Sequence, residues 1–122
     1  MKLDHTIVPC LDNKVSARFY AEILGFKEGE THFSFEVIHI DDTTKLLFSN
    51  RKHIRSNHYA FRASAKEYDT VLNRLIVRSL PYGNSPTERN NESEYIREEE
   101  KGFYFDDPDG HILEVITAEV ER

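Results

Sequence analysis

The chain has 122 residues, a formal net charge of -6, and 39% hydrophobic against 31% charged residues. This is the size of a single domain with a core of its own and the composition of a globular protein. The acidic balance, without any stripe of Lys and Arg, argues against a nucleic-acid surface, and no apolar run approaches the length of a membrane span.

The first element is a short strand, Asp4 to Val8, carrying His5. Cys10 is the single cysteine, so no intrachain disulfide forms, and a reducing, cytoplasmic compartment suits it. Following Pro9 at the end of an apolar strand, it reads as a small buried hydrophobe rather than a nucleophile. Val15, Phe19 and Ile23 then recur at the spacing of one helix face. Leu24-Gly25-Phe26 closes that helix, with Gly25 as its left-handed cap. Strand signals follow at Phe33 to Ile40 and Lys45 to Phe48, with a turn at Asp41-Asp42-Thr43-Thr44. On the first of these strands His39 shares a face with Phe35 and Val37, while Glu36 lies on the opposite, solvated face.

The second half begins with a strand from His58 to Phe61. Ser64-Ala65-Lys66-Glu67 is a capping box, and Tyr68, Leu72 and Ile76 form the apolar face of the helix it starts. Between Leu80 and Ser93 the chain is rich in Pro, Gly, Asn, Ser and charge. Both a functional loop and a tolerated surface insertion fit that composition. Tyr95 to Arg97 is strand-like and runs into Glu98-Glu99-Glu100, a solvated charge run. Arg97 either binds an anionic substrate or pairs with the acidic run, the second being the simpler account. In Gly102 to Phe105, Phe103 and Phe105 alternate with polar-tipped neighbours, the period of a half-buried strand. Asp107-Pro108-Asp109-Gly110 is a turn by chemistry: Pro sets φ, Asp bonds its own backbone, and Gly accepts positive φ. His111, just after it, is expected to face solvent. The last strand, Ile112 to Thr117, is apolar except for Glu114.

An internal repeat organises these elements. An offset of 53 residues carries His5 onto His58 and the first helix face onto the second. Each half therefore reads β-α-β-β-β, with modules of about 1–50 and 56–122 in one domain spanning 1–122. The fold class is α+β, the two modules forming a cupped mixed sheet around a central cavity. Matching the turns of the two halves sets Glu114 opposite Leu47, so a site shared by the halves has at most three ligands.

Glu114 is the residue that needs explaining. A carboxylate in an apolar strand must find an Arg, a Lys or a metal ion, because burying it unpaired is costly. His5 and His58, each on a strand, together with Glu114 make a three-ligand set for a divalent ion. The plainer readings are that each histidine is a satisfied core or surface residue and that Glu114 forms a salt bridge or sits on a solvated face.

The chain resembles the vicinal oxygen chelate superfamily, which includes glyoxalase I, extradiol dioxygenases, fosfomycin-resistance enzymes and bleomycin-resistance proteins. The resemblance covers essentially the whole chain. It rests on Leu3-Asp4-His5-Thr6 followed by Phe19 to Phe26, on Asn57-His58-Tyr59-Ala60-Phe61, and above all on Gly102 to Phe105 with Asp107 to Glu114. It implies that His5, His58 and Glu114 are metal ligands for Mn, Fe, Ni, Co or Zn, and that the substrate is a small molecule chelated through neighbouring oxygens. It also implies a twofold homodimer, and it matches Tyr104 to the tyrosine used by fosfomycin transferases. The chain departs from the family patterns in three places. Lys45-Leu46-Leu47-Phe48 lacks the fourth ligand of glyoxalase I. Ile7 stands where the fosfomycin branch has a small hydroxyl residue, and Glu98-Glu99-Glu100-Lys101 lacks the serines of its potassium loop. Two hypotheses follow: a metal-dependent enzyme of glyoxalase, dioxygenase or transferase type, or a metal-free drug-binding protein of the bleomycin-resistance kind.

Overall fold

The computed structural model describes residues 1–118. Contacts divide the chain into two compact units, Met1–Arg55 and a second beginning at Ser56. Both are α+β with the same β-α-β-β-β plan. In the first, β1 (His5–Cys10) leads into α1 (Asn13–Phe19), which continues as a π-helical segment, Tyr20–Leu24; β2 (Lys27–Glu28), β3 (Glu36–His39) and β4 (Lys45–Asn50) follow. In the second, β5 (His58–Arg62) leads into α2 (Ala65–Val77), then β6 (Tyr95–Arg97), β7 (Glu100–Asp106) and β8 (Ile112–Thr117). The sheet orders are β1-β4-β3-β2 and β5-β8-β7-β6, so each module's first strand lies parallel to its last. No described helix is long and apolar enough to cross a membrane.

Local chemistry accounts for most element ends. The Asp12 side chain caps α1 by accepting from the backbone N–H groups of Lys14 and Val15. Gly25 ends the π-helical segment at φ 77°, the left-handed conformation the sequence implies. The Ser64 capping box is formed in both directions, hydroxyl to Glu67 N–H and Glu67 carboxylate to Ser64 N–H. At the last turn Asp107 Oδ1 accepts from the N–H groups of Asp109 and His111, and Gly110 takes φ 83°.

The helix faces differ in phase from the sequence reading. α1 and its π-helical extension bury Ser16, Ala17, Tyr20 and Ile23, while Val15 is exposed. Ser16, Ala17, Tyr20 and Ile23 are spaced as one face of a 3.6-residue helix, and Val15 lies to one side of it. α2 buries Tyr68, Val71 and Leu75, leaving Leu72 at the margin and Ile76 exposed. Its centre lies one residue from the predicted face.

Each helix covers one side of its own sheet. Tyr20 packs edge-on against Phe48 at 4.8 Å, and Tyr68 against Phe103 at 4.9 Å. Phe103 pairs across the strands with Val115, and Phe105 with Leu113, all four being buried beneath α2 or beside it. Fully burying one such side chain stabilises the fold by about 1.5–3 kcal/mol. The segment Gly102 to Phe105 is buried throughout, which corrects the half-buried reading: its second face carries Tyr104, itself 3% exposed.

His111 is also corrected. It is fully buried rather than solvent-facing. Its Nδ1 accepts from the Asn57 backbone N–H at 2.9 Å, and its ring meets Tyr59 at 5.7 Å. The histidine therefore ties the approach to β5 to the turn before β8.

Tyr68 makes alkaline pH a probe of the second module. Its ring is fully buried, and its hydroxyl donates to Glu94 Oε1 at 2.7 Å. Burial first, and the Glu94 carboxylate second, push the phenol well above its ordinary value. The unfolded chain ionises this phenol near ~10, while the folded chain holds the proton. Its contribution to stability is therefore full below ~10 and falls as pH climbs above it. Urea unfolding across that range is expected to show a loss of stability with rising pH that Tyr68→Phe reduces.

Candidate functional site

The face of the second sheet opposite α2 gathers the chemistry. In register, Ala60, Glu114 and Tyr104 stand side by side on β5, β8 and β7. His58 is a diagonal neighbour of Glu114, and its Nε2 lies 2.9 Å from Glu114 Oε1. Tyr95, on β6, donates its hydroxyl to Glu114 Oε2 at 2.5 Å. Tyr104 stands directly across from Glu114 in the strand register, with the Arg97 charge acting on it from β6. The Tyr104 ring lies 5.7 Å from His58 and 5.6 Å from Tyr95. Glu114 is thus a buried carboxylate, 7% exposed, held by one imidazole and one phenol, with the Tyr104 ring beside it.

Electrostatics keep both phenols protonated. Burial, then the hydrogen bond to Glu114, pushes Tyr95 far up. Burial raises Tyr104 as well, opposed by the Arg97 guanidinium. At neutral pH both are hydrogen-bond donors rather than phenolate bases.

The sequence reading missed Tyr95, although one signal for its position is present in Gly102. The two residues pair directly across β6 and β7. A Cβ built on Gly102 would meet the Tyr95 ring at 2.3 Å, so the phenolic end of the ring occupies the space a side chain would need. This seat lets the hydroxyl reach Glu114. Gly102→Ala is expected to displace the ring and break the Tyr95–Glu114 hydrogen bond, at about 1–2 kcal/mol. Tyr95→Phe, by the same argument, loses the bond but keeps the packing. Chemical denaturation of the single and double variants checks this: the two losses should be strongly non-additive, and simple additivity would refute the coupling.

Arg97 is set against an aromatic ring rather than in the salt bridge to the acidic run. Its guanidinium stacks over the Tyr95 ring, 4.5 Å from the centroid. Within the acidic run, Glu100 is paired by Arg62 at 2.8 Å. The segment between Leu80 and Ser93 is tied down next to the site. Gly83 and Tyr104 exchange both backbone hydrogen bonds, at 2.9 and 2.8 Å. Arg89 reaches Asp106 on the same strand.

The first module presents a different surface. His5 is about half exposed and shares a 2.7 Å hydrogen bond with the neighbouring Asp4 carboxylate. It lines a cleft of about 640 Å³ floored by Phe35, Val37 and Leu47 and flanked by His39 and Lys45. His39, Phe35 and Val37 share that lining, as their alternation implied. Leu47 pairs with Ile7 and Val37 as Glu114 does with Ala60 and Tyr104, so the two are equivalent positions in their own sheets. Among the described residues no three His, Cys, Asp or Glu side chains are gathered to hold a metal ion.

The model of the Glyoxalase/Bleomycin resistance protein/Dioxygenase superfamily matches residues 2–115. The chain belongs to this superfamily. Among solved structures it is similar to Oxidase ChaP-H2, with 36% identity, a TM-score of 0.90, and 96% of this chain and 93% of that one covered. Oxidase ChaP-H1 matches at 35% identity and a TM-score of 0.90 over 96% and 95% of the two chains. Lactoylglutathione lyase from Agrobacterium tumefaciens, at 16% identity and a TM-score of 0.72 over 95% and 92%, shares the fold. Comparison with curated proteins gives no match.

Proposed function

We propose that this superfamily member is a metal-dependent enzyme acting on a small oxygen-rich molecule, with His5, His58 and Glu114 as the metal ligands and Tyr104 as a catalytic group. The observation that carries this reading is Glu114: a buried carboxylate on an apolar strand, within 2.9 Å of an imidazole nitrogen. A carboxylate and an imidazole so placed fit two positions around Mn, Fe, Co, Ni or Zn, and His5 completes the set. Superfamily members typically use divalent metals, and the likeness to Oxidase ChaP-H2 supports oxidative chemistry. A divalent ion there supplies Lewis acidity to the substrate's adjacent oxygens. The protein's own contribution is separate. Tyr104, kept protonated by burial, donates a hydrogen bond to a developing oxyanion, and Tyr95 fixes the Glu114 carboxylate from the side. Superfamily members are commonly small-molecule-binding dimers, and we extend the homodimer and a cytoplasmic setting to this chain.

One observation favours the metal-free alternative, a drug-binding protein of the bleomycin-resistance type: Glu114 already has hydrogen-bond donors around it. A single experiment separates the two readings. Mn, Ni and Zn are titrated calorimetrically into chelator-treated, tag-free protein and into His5→Ala. The enzyme reading expects stoichiometric binding by the wild type that weakens in His5→Ala. It also expects affinity to fall with falling pH, because an imidazole must be neutral to ligate. Wild type that binds no better than the variant supports the binder.

A further inference from the structure

We propose that Tyr95 sets the metal preference of the site by holding one oxygen of Glu114, so that the carboxylate presents a single oxygen to a divalent ion. The inference rests on the reading of Glu114 and His58 as ligands. It adds a selectivity device that this reading does not require.

The two oxygens of Glu114 have separate partners. Oε1 lies 2.9 Å from His58 Nε2, and Oε2 accepts the Tyr95 hydroxyl at 2.5 Å. An ion held jointly by His58 and Glu114 therefore takes Oε1, the oxygen beside the imidazole, while Oε2 stays with its donor. Glu114 has little room to turn. It is 7% exposed and stands between Ala60 and Tyr104 in the sheet.

Tyr95 is held in its turn. It pairs with Gly102 across β6 and β7, and its Cζ and hydroxyl oxygen lie 2.3 Å from where a Cβ of residue 102 would stand. Only glycine leaves that volume to the phenol. The Arg97 guanidinium is 4.5 Å from the ring centroid, and the Tyr104 ring is 5.6 Å away. Burial, then the hydrogen bond to Glu114, keeps the phenol protonated, so it remains a donor.

The number of oxygens offered discriminates among ions. A carboxylate that binds through both oxygens places them at a narrow angle. That suits large ions with long bonds and many ligands, Ca foremost and Mn less strongly. A single oxygen suits the compact coordination of Ni and Zn, and it leaves a position open for water or substrate. Keeping Oε2 on Tyr95 therefore favours the smaller ions.

The test titrates Ni, Mn and Ca calorimetrically into chelator-treated, tag-free, full-length protein and into Tyr95→Phe, which keeps the ring and loses the hydroxyl. Wild type is expected to bind Ni and Mn but not Ca. In Tyr95→Phe the Ni affinity should fall by about ten- to a hundredfold and the Mn affinity by less, narrowing the preference for Ni over Mn by about tenfold. Co supplies a spectroscopic signature. A second carboxylate oxygen raises its coordination number, so the visible absorption of the Co-loaded variant should weaken and shift relative to wild type. Gly102→Ala, which displaces the ring instead of removing the hydroxyl, should reproduce both changes. Tyr68→Phe removes a phenol that packs on Phe103, on the other face of β7, and should reproduce neither. An unchanged Ni-to-Mn ratio and Co spectrum in Tyr95→Phe overturns the proposal and leaves the metal reading standing. So does an equal loss of affinity for every ion, which is what a purely packing role produces. Wild type that takes up none of these ions rejects the metal reading, and the proposal with it.

Discussion

Glu114→Gln is expected to weaken binding of Mn, Ni and Zn by on the order of a hundredfold while the protein stays folded. The carboxylate supplies both a ligand atom and the negative charge that offsets the ion, and glutamine keeps the shape while removing the charge. Folding survives because the partners adapt. The glutamine oxygen still accepts from the Tyr95 hydroxyl, and its amide donates to His58 once that ring presents a lone pair at Nε2. The remaining cost, from replacing charge-assisted hydrogen bonds by neutral ones, is about 1–2 kcal/mol. Calorimetry at neutral pH and urea denaturation read the two effects separately. If Glu114 serves only to pair with His58, wild type and variant will bind all three metals equally weakly.

Gly83→Ala should be the most destabilising change near the site that leaves its side chains untouched. A Cβ at position 83 would sit 1.9 Å from the Glu88 carbonyl oxygen and 2.8 Å from Arg89 Cα. Both are backbone atoms of the same loop, so no rotamer change relieves the overlap. The loop must open, and with it go the two hydrogen bonds that Gly83 exchanges with Tyr104. We expect a loss of about 2–4 kcal/mol and a thermal midpoint lower by roughly 10 °C. A loss under about 1 kcal/mol would show that the loop yields easily and does not hold β7. Gly102→Ala contrasts with it, since the obstacle there is the swinging ring of Tyr95.

The parts of the fold legible in the sequence are those dictated by neighbours along the chain. The Ser64 capping box, the Gly25 cap and the turn at Asp107 to Gly110 are local chemistry, and each is formed. The repeat is legible because His5 and His58 begin equivalent strands. What escaped the reading depends on contacts between distant segments. Tyr95 acquires its role only when β6 pairs with β7 in a register that sets it over Gly102. His111 looks like a polar residue after a turn until the Asn57 backbone supplies its partner. Arg97 stands beside three glutamates in sequence, but its place on a β-strand sets it over the ring of Tyr95, two residues back. The α1 face is misphased because Ser16 and Ala17 occupy buried positions while the apolar Val15 is exposed, which a pattern of large apolar residues does not register. Of the proposed ligands, the structure brings His58 and Glu114 together on one sheet face, and His5 stands on the other module.

The parallel closure of each sheet bears on the order in which the molecule can assemble. β1 has β4 as its neighbour in the sheet and β5 has β8, so the opening strand of each module waits for the closing one. Such pairings carry a high loop-closure cost and fold slowly compared with hairpins. During synthesis the first module has all its strands once Asn50 has emerged from the ribosome, whereas the second lacks its closing strand until Thr117. Until then β5 is a bare edge bearing His58, and β7 and β6 form a hairpin without Glu114. A nascent or C-terminally clipped chain would therefore lose the carboxylate and the partner strand together. Chaperone demand should concentrate on that interval of translation, and the β7–β8 turn through Pro108 and Gly110 becomes the hinge on which completion of the second sheet depends.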